Sequence, residues 1–98
     1  MESGHSDDID LFTAILALEN HEEALSFFKD LCTRQEIGVL QERWRVCQLL
    51  ERGDLSYRDI HRLTGASLVT IGRVARFLKE EEYGGYKNML KKLKTRRK

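Results

Sequence analysis

The chain has 98 residues, 41% hydrophobic and 34% charged, with no proline, seven glycines and two cysteines. That length suits one domain with a thin core that an oligomeric partner would thicken, and it excludes a large enzyme with a separate cofactor domain. The longest apolar run, Ala14-Ile15-Leu16-Ala17-Leu18, falls far short of the ~20 residues that cross a bilayer, and no secretory signal pattern opens the chain. Cys32 and Cys47 sit singly inside apolar patterns. They read as reduced core thiols of a cytoplasmic protein.

The net charge of +1 hides an asymmetry. Residues 1–32 hold eight acids and one base, a net of −7, while residues 33–98 hold sixteen bases and eight acids, a net of +8. A basic half joined to an acidic half suggests that one face meets a polyanion. The alternative is that the two halves complement each other.

Apolar residues recur at i, i+3 and i+4, and no stretch alternates as a strand would, so the chain reads as all-helical. Asp7 or Asp8 can cap a first helix carrying Leu11, Phe12, Ile15, Leu16 and Leu18. Asn20 with Glu23 is a capping box for a second, with Ala24, Leu25, Phe28 and Leu31 on one face. Thr33 with Glu36 opens a third, on which Ile37, Leu40, Trp44, Cys47 and Leu50 share a stripe, and Gly53 can stop it in the left-handed conformation. Ser56 with Asp59 begins a short fourth helix bearing Ile60 and Leu63, ended by Gly65. Ser67 caps a fifth, with Ile71, Val74, Ala75 and Leu78 inward. After Gly84-Gly85 a sixth carries Tyr86, Met89, Leu90 and Leu93. The ends, residues 1–6 and 94–98, read as loose. The organisation expected is thus a single all-helical domain over 1–98.

Residues 55–79 have the helix-turn-helix layout: two short helices and a turn centred on Gly65. Ile60 and Leu63 on the first are expected to meet Ile71 and Val74 on the second. Gly65 reverses the chain without a Cβ penalty, and Ala66 keeps the corner small. The N-terminal end of the second helix then projects outward, with free backbone N–H groups that suit a phosphate. It carries Ser67, Leu68, Val69, Thr70, Gly72 and Arg73. Leu68 and Val69 fall off the inward stripe and suit thymine methyl groups. Arg58, Arg62, Arg73 and Arg76 surround the motif, some to hold phosphates and one or two to read bases. His61 stands where many such motifs have alanine, and it needs local room or a sideways course to the surface. An ordinary helical hairpin with a solvated basic rim is the simpler alternative.

Residues 31–80 resemble the core of the Trp repressor superfamily. The resemblance runs from Leu31-Cys32-Thr33-Arg34-Gln35-Glu36 through Leu40-Gln41-Glu42-Arg43-Trp44-Arg45-Val46 and Leu49-Leu50-Glu51-Arg52-Gly53-Asp54-Leu55-Ser56-Tyr57-Arg58-Asp59. The strings Leu-Ser-Tyr-Arg-Asp-Ile, Thr-Gly-Ala-Ser and Thr-Ile-Gly-Arg-Val, with the later Tyr83-Gly84-Gly85-Tyr86-Lys87, look closer to the YerC/YecD-type branch than to the repressor itself. The resemblance implies an all-α, six-helix Trp-repressor-like fold and an intertwined homodimer whose two reading heads meet half-sites one helical turn apart. It also implies that Arg43 and Arg73 fall on the arginines that sandwich a tryptophan corepressor. Arg43 has a simpler alternative as an ion pair with Glu36, Glu42 or another acid. The family's small residues beside the second arginine are Val74 and Phe77 here, and Phe77 can fill the pocket with its own ring. Arg43, Arg73, Val74 and Phe77 are therefore a candidate effector pocket whose ligand is not expected to be tryptophan. Arg58 matches a DNA-contacting position of the first motif helix, and Leu68, Val69 and Gly72 match base-contacting positions of the second.

Catalysis is not expected. His5, His21 and His61 have no cysteine or carboxylate at metal-ligand spacing, Glu80-Glu81-Glu82 reads as a solvated helix end, and no phosphate-binding loop or dinucleotide fingerprint appears. No cofactor, metal or membrane partner is implied. Trp44 reads as core packing, while Tyr83 and Tyr86 either stack on bases or anchor the last helix. The basic residues Lys87, Lys91, Lys92, Lys94, Arg96, Arg97 and Lys98 would strengthen salt-sensitive backbone binding or serve as a solubilising terminus. The reading is a dimeric regulator of transcription that binds duplex DNA. The alternative is a dimeric helical interaction or ligand-sensing module that does not read DNA.

Overall fold

The computed structural model describes residues 8–80 and 83–97. Its elements are six α-helices: α1 (Leu11–Leu16), α2 (His21–Leu31), α3 (Arg34–Arg52), α4 (Tyr57–Thr64), α5 (Leu68–Glu80) and α6 (Gly85–Arg97). No strand occurs among the described residues, and none of the helices there is long and apolar enough to cross a membrane. The described residues form two compact units that divide between Ile37 and Gly38.

The first unit holds α1, α2 and the opening of α3. Its helix starts are set by side chains that accept the backbone N–H groups a helix leaves unpaired. Asp10, not Asp7 or Asp8, caps α1: its Oδ1 accepts from the N–H groups of Phe12 at 2.8 Å and Thr13 at 3.0 Å. Three aspartates in four residues offered the same chemistry, and the one adjoining the apolar stripe prevails; Asp7 lies outside the described residues. Asn20 accepts from the Glu23 N–H at 2.8 Å, while the Glu23 carboxylate reaches back to the Glu19 N–H at 2.9 Å, one residue beyond the cap. Thr33 and Glu36 make the reciprocal pair at the start of α3. Neither α1 nor α2 contains a fully buried residue. Ala24, Phe27 and Phe28 are half-buried on α2 while Leu25 and Leu31 are exposed, so the sheltered face is turned by about one residue from the expected one. Phe12 and Leu16 are 72% and 85% exposed.

The second unit holds the core. Val46 and Cys47 of α3, Ile60 of α4, Ala66 of the corner, and Ile71, Val74 and Leu78 of α5 form one buried cluster. Trp44, Leu49, Leu50, Leu55, Tyr86 and Leu90 pack around it. Every fully buried side chain among the described residues is apolar. Cys47 and Cys32 are free thiols. Burial, reinforced by the carboxylate of Glu51, pushes the Cys47 thiol up to about 11, which keeps it protonated. The inward stripe of α5 is as expected, but three other apolar positions are not. Leu40, Leu63 and Met89 are exposed. On the eight-residue α4 the buried line runs from Ile60 to Thr64, one turn on, and Leu63 is rotated off it. On α6 it runs Tyr86, Leu90, Leu93, which leaves Met89 outside. That helix continues through 94–97, where a loose end was expected, because neither glycine nor proline interrupts it; Lys98 and residues 1–6 lie outside the described residues.

Ile60 is fully buried in the cluster that draws on α3, α4 and α5, so its truncation leaves a void in the core. Ile60→Ala is expected to lower the unfolding free energy by about 3 kcal/mol, read as a shift in the urea midpoint with the slope unchanged.

Candidate nucleic-acid interface

The corner between α4 and α5 is three residues long, and each has a separate task. Gly65 ends α4 at φ 80, in the left-handed region that side-chain-bearing residues avoid, and its N–H returns to the His61 carbonyl. Ala66 is buried, where a larger side chain would separate the helices. Ser67 begins α5, its Oγ accepting the Thr70 N–H at 3.1 Å.

Two side chains of α4 brace this corner from behind. Thr64 donates to the Ile60 carbonyl at 2.7 Å, and its hydroxyl oxygen accepts the Ala66 N–H at 3.0 Å. His61 resolves the steric question its bulk raised: it lies exposed, with Nδ1 2.7 Å from the Ala66 carbonyl oxygen. A carbonyl only accepts, so Nδ1 carries the proton of that bond. The corner is thus held by backbone, hydroxyl and imidazole together. The sequence pattern showed the glycine but not the two braces, which need coordinates to see.

The start of α4 is equally well defined. Ser56 Oγ accepts the Asp59 N–H at 3.0 Å and the Asp59 carboxylate accepts the Ser56 N–H at 3.2 Å. The bonds to Ser56, aided by Arg62, hold the Asp59 carboxyl below its usual 3.8.

The structure distributes the sequence-predicted residues as follows. Leu68 and Val69 stand at the tip of α5, 55% and 83% exposed. Thr70 is half-buried and accepts a hydrogen bond from the Ser67 hydroxyl at 3.1 Å. A Cβ built on Gly72 would meet open space. Arg58 is exposed on the first turn of α4. Arg62 pairs with Asp59 at 2.8 Å and Arg76 with Glu80 at 3.8 Å, both at the surface, where such pairs are worth little and exchange readily. Arg73 lies with its guanidinium 4.6 Å from the centre of the Phe77 ring, one turn farther from the tip, and that of Arg76 is 5.7 Å from the same ring.

Phe77 in turn stacks on Tyr83, with ring centroids 6.1 Å apart and planes 12° from parallel. Arg73, Phe77, Tyr83, Gly84, Gly85 and Tyr86 line a cavity of about 500 Å³. Of the four candidate effector residues, Arg73 and Phe77 meet here. Val74 is instead buried in the core. Arg43 is half-buried, its Nε out of contact with solvent and without a hydrogen-bond partner. Burial raises the pKa of the Tyr86 phenol, Cys47 adding to that and the charges of Arg43 and Arg73 opposing it. The involvement of Tyr83 and Tyr86 in this cavity escaped the sequence reading, though their flanking of the glycine pair was its signal.

The family model described as "Trp repressor protein" matches residues 9–94 of the chain. The chain belongs to the Trp repressor family. It is 47% identical over 68 residues to the uncharacterized protein YerC of Bacillus subtilis strain 168, an overlap that takes in 69% of this chain. The chain spans 64% of the length of that relative. Among solved structures, a TrpR-like protein from Eubacterium eligens is 43% identical with a TM-score of 0.78, covering 85% of this chain and 84% of its own. A candidate Trp repressor from Staphylococcus aureus is 40% identical with a TM-score of 0.80, covering 86% and 82% respectively.

Two outcomes follow from the corner and cap. Gly65→Ala forces a Cβ into the left-handed region without any clash, so it should cost about 1–2 kcal/mol of stability in thermal or urea unfolding. Asp59 has a folded pKa below its unfolded 3.8, so its contribution is complete above that value and fades as pH falls through the folded one. Acid titration of urea midpoints should therefore show a loss below pH 3.8 in the native chain that is smaller in Asp59→Asn.

Proposed function

We propose that the chain is a homodimeric regulator of transcription that binds duplex DNA in a sequence-dependent way, with α5 entering the major groove. The observation that carries this reading is the tip of α5: an exposed, capped helix start held out from the core by a three-residue corner, in a chain of the Trp repressor family. Leu68, Val69 and Thr70 lie nearest the bases, with Arg73 one turn behind them. Gly72 lets the duplex approach the helix backbone, and Ser67 at the cap leaves N–H groups for a phosphate. Arg58, Arg62 and Arg76 hold the phosphate backbone, the last two by leaving surface carboxylates that bind them weakly. The excess of bases after residue 32 supplies the attraction that precedes docking.

The partner chain is a second copy. Helices α1 and α2 have no buried residue of their own and expose Phe12 and Leu16. An intertwined dimer, as the family implies, would cover them and set two tips about 34 Å apart, one turn of duplex. DNA as the target puts the protein in the cytoplasm. Phe77 lies against Arg73, the arginine that the family resemblance assigns to one side of a tryptophan corepressor, and its ring competes for that place, which supports an effector other than tryptophan. A second reading, a dimeric module that senses a small molecule without reading DNA, is favoured by the cavity beside Arg73.

Titration of labelled random-sequence duplex, read by fluorescence anisotropy, separates the two. Binding should weaken steeply between ~50 and ~200 mM salt. Arg58→Ala should lower the slope of log K against log salt by about 1, and added tryptophan should change nothing. A chain that binds no duplex at the lower salt favours the sensing module.

A further inference from the structure

The sequence leaves two roles open for the basic residues after Gly84-Gly85. They do not form a loose end: α6 runs unbroken from Gly85 to Arg97, with six lysines and arginines and no acid. Tyr86 and Leu90 fasten it to the core cluster of α3, α4 and α5, so its outer charges stand on a fixed rail rather than a tether. Lys87, Lys91 and Lys94 follow one another at spacings of four and three, and therefore share one edge of the helix. All three are exposed. From Lys87 to Lys94 this edge rises about 10 Å, the axial length of roughly three phosphates on one strand of a duplex. At its far end Lys94 Nζ lies 3.9 Å from Glu51 Oε2, in the last turn of α3. Helix α3 passes into α4 through residues 53–56 alone, so the edge lies beside the connection that leads to Arg58.

We propose that the Lys87–Lys91–Lys94 edge of α6 is a second phosphate-binding surface, which holds the backbone of the duplex outside the stretch that α5 enters. This rests on the DNA-binding reading above and goes beyond it, since that reading gives the backbone to arginines of the motif alone. Charge and residue type select the occupant. Lysine is depleted where protein meets protein, whereas surfaces that meet DNA are strongly positive. A lysine ammonium is a point charge that holds a phosphate without demanding one geometry. The ion pair of Lys94 with Glu51 is exposed on both sides, 74% and 40%, and exchanges readily. Phosphate contacts carry no sequence information, so the edge adds affinity and salt dependence and leaves the choice of site to the motif. The other anionic surface on offer is the acidic first third of a second copy, net −7 over residues 1–32, and the assembly state tells the two apart.

The test compares the intact native chain with Lys87→Gln, Lys91→Gln and Lys94→Gln, singly and together. Each binds a duplex that the native chain selects from a random-sequence pool, and a scrambled duplex of the same length. Each single change should make the slope of log K against log salt shallower by about 1, and the three together by about 2 to 3. The ratio of affinities for the two duplexes should stay as it is. Ethylation of phosphates flanking the selected site should weaken binding by the native chain and not by the triple variant. Lys87→Arg, Lys91→Arg, Lys94→Arg together should keep the native slope. All three side chains are exposed, so the variants keep their fold, which helical circular dichroism and the melting temperature would verify. An unchanged slope in the triple glutamine variant overturns the proposal while leaving DNA binding intact. A fall in the affinity ratio overturns it too, because phosphate contacts do not read sequence. So does a triple variant that sediments as a monomer where the native chain is a dimer, which would assign the edge to a second copy. Failure of the native chain to bind any duplex would instead remove the DNA-binding reading on which the proposal stands.

Discussion

The second unit depends on how α4 is turned into α5. Helices of eight and thirteen residues are too short to be stable alone, and their stability comes from packing Ile60, Ile71, Val74 and Leu78 against Val46 and Cys47 of α3. That packing requires the chain to reverse within three residues. Gly65 supplies the backbone conformation, Ala66 the small volume, and Ser67 the cap. Because Thr64 and His61 tie Ala66 from both sides, the corner is a fixed joint rather than a hinge. The direction in which the tip of α5 projects is therefore a property of the core.

A division of labour among side chains follows. Residues that face the core on α5 are uniformly apolar, and the arginines of the motif are all at the surface. Three of them are engaged within the protein: Arg62 with Asp59, Arg76 with Glu80, and Arg73 with Phe77. Exposed ion pairs of this kind are weak and exchange readily, which is what the proposed phosphate contacts would require of Arg62 and Arg76. The Arg73–Phe77–Tyr83 stack differs, because it joins α5 to the turn before α6 through two aromatic rings. The two stacked rings line the cavity beside Arg73 together with Tyr86.

Much of this architecture was legible in the residues. The helix count, the caps at Asn20, Thr33, Ser56 and Ser67, and the glycines that end α3 and α4 follow from local rules that the fold obeys. The family resemblance carried by residues 31–80 agrees with the match over 9–94. What was not legible depends on rotation and on distance along the chain. Periodicity puts Leu63 and Ile60 on one face of a helix, but a short helix has room for only one buried line, and Ile60 takes it. Val46 lies next to Cys47 in the core although the expected stripe passed it by. The cap of α1 was expected at Asp7 or Asp8 and falls on Asp10, because the position of the donating N–H groups of Phe12 and Thr13 decides it. The stack of Phe77 on Tyr83 spans a break between helices, and no periodicity reports contacts of that kind.

Helices α1 and α2 enclose nothing of their own, for no residue in either is fully shielded from solvent within one chain. In the homodimer proposed above they would take their interior from the second copy, and an interior supplied that way obeys mass action. Folding and assembly of these segments would then be a single reaction, in which dilution acts as a denaturant alongside heat, and the cellular abundance of the chain would set how much of it holds a finished shape.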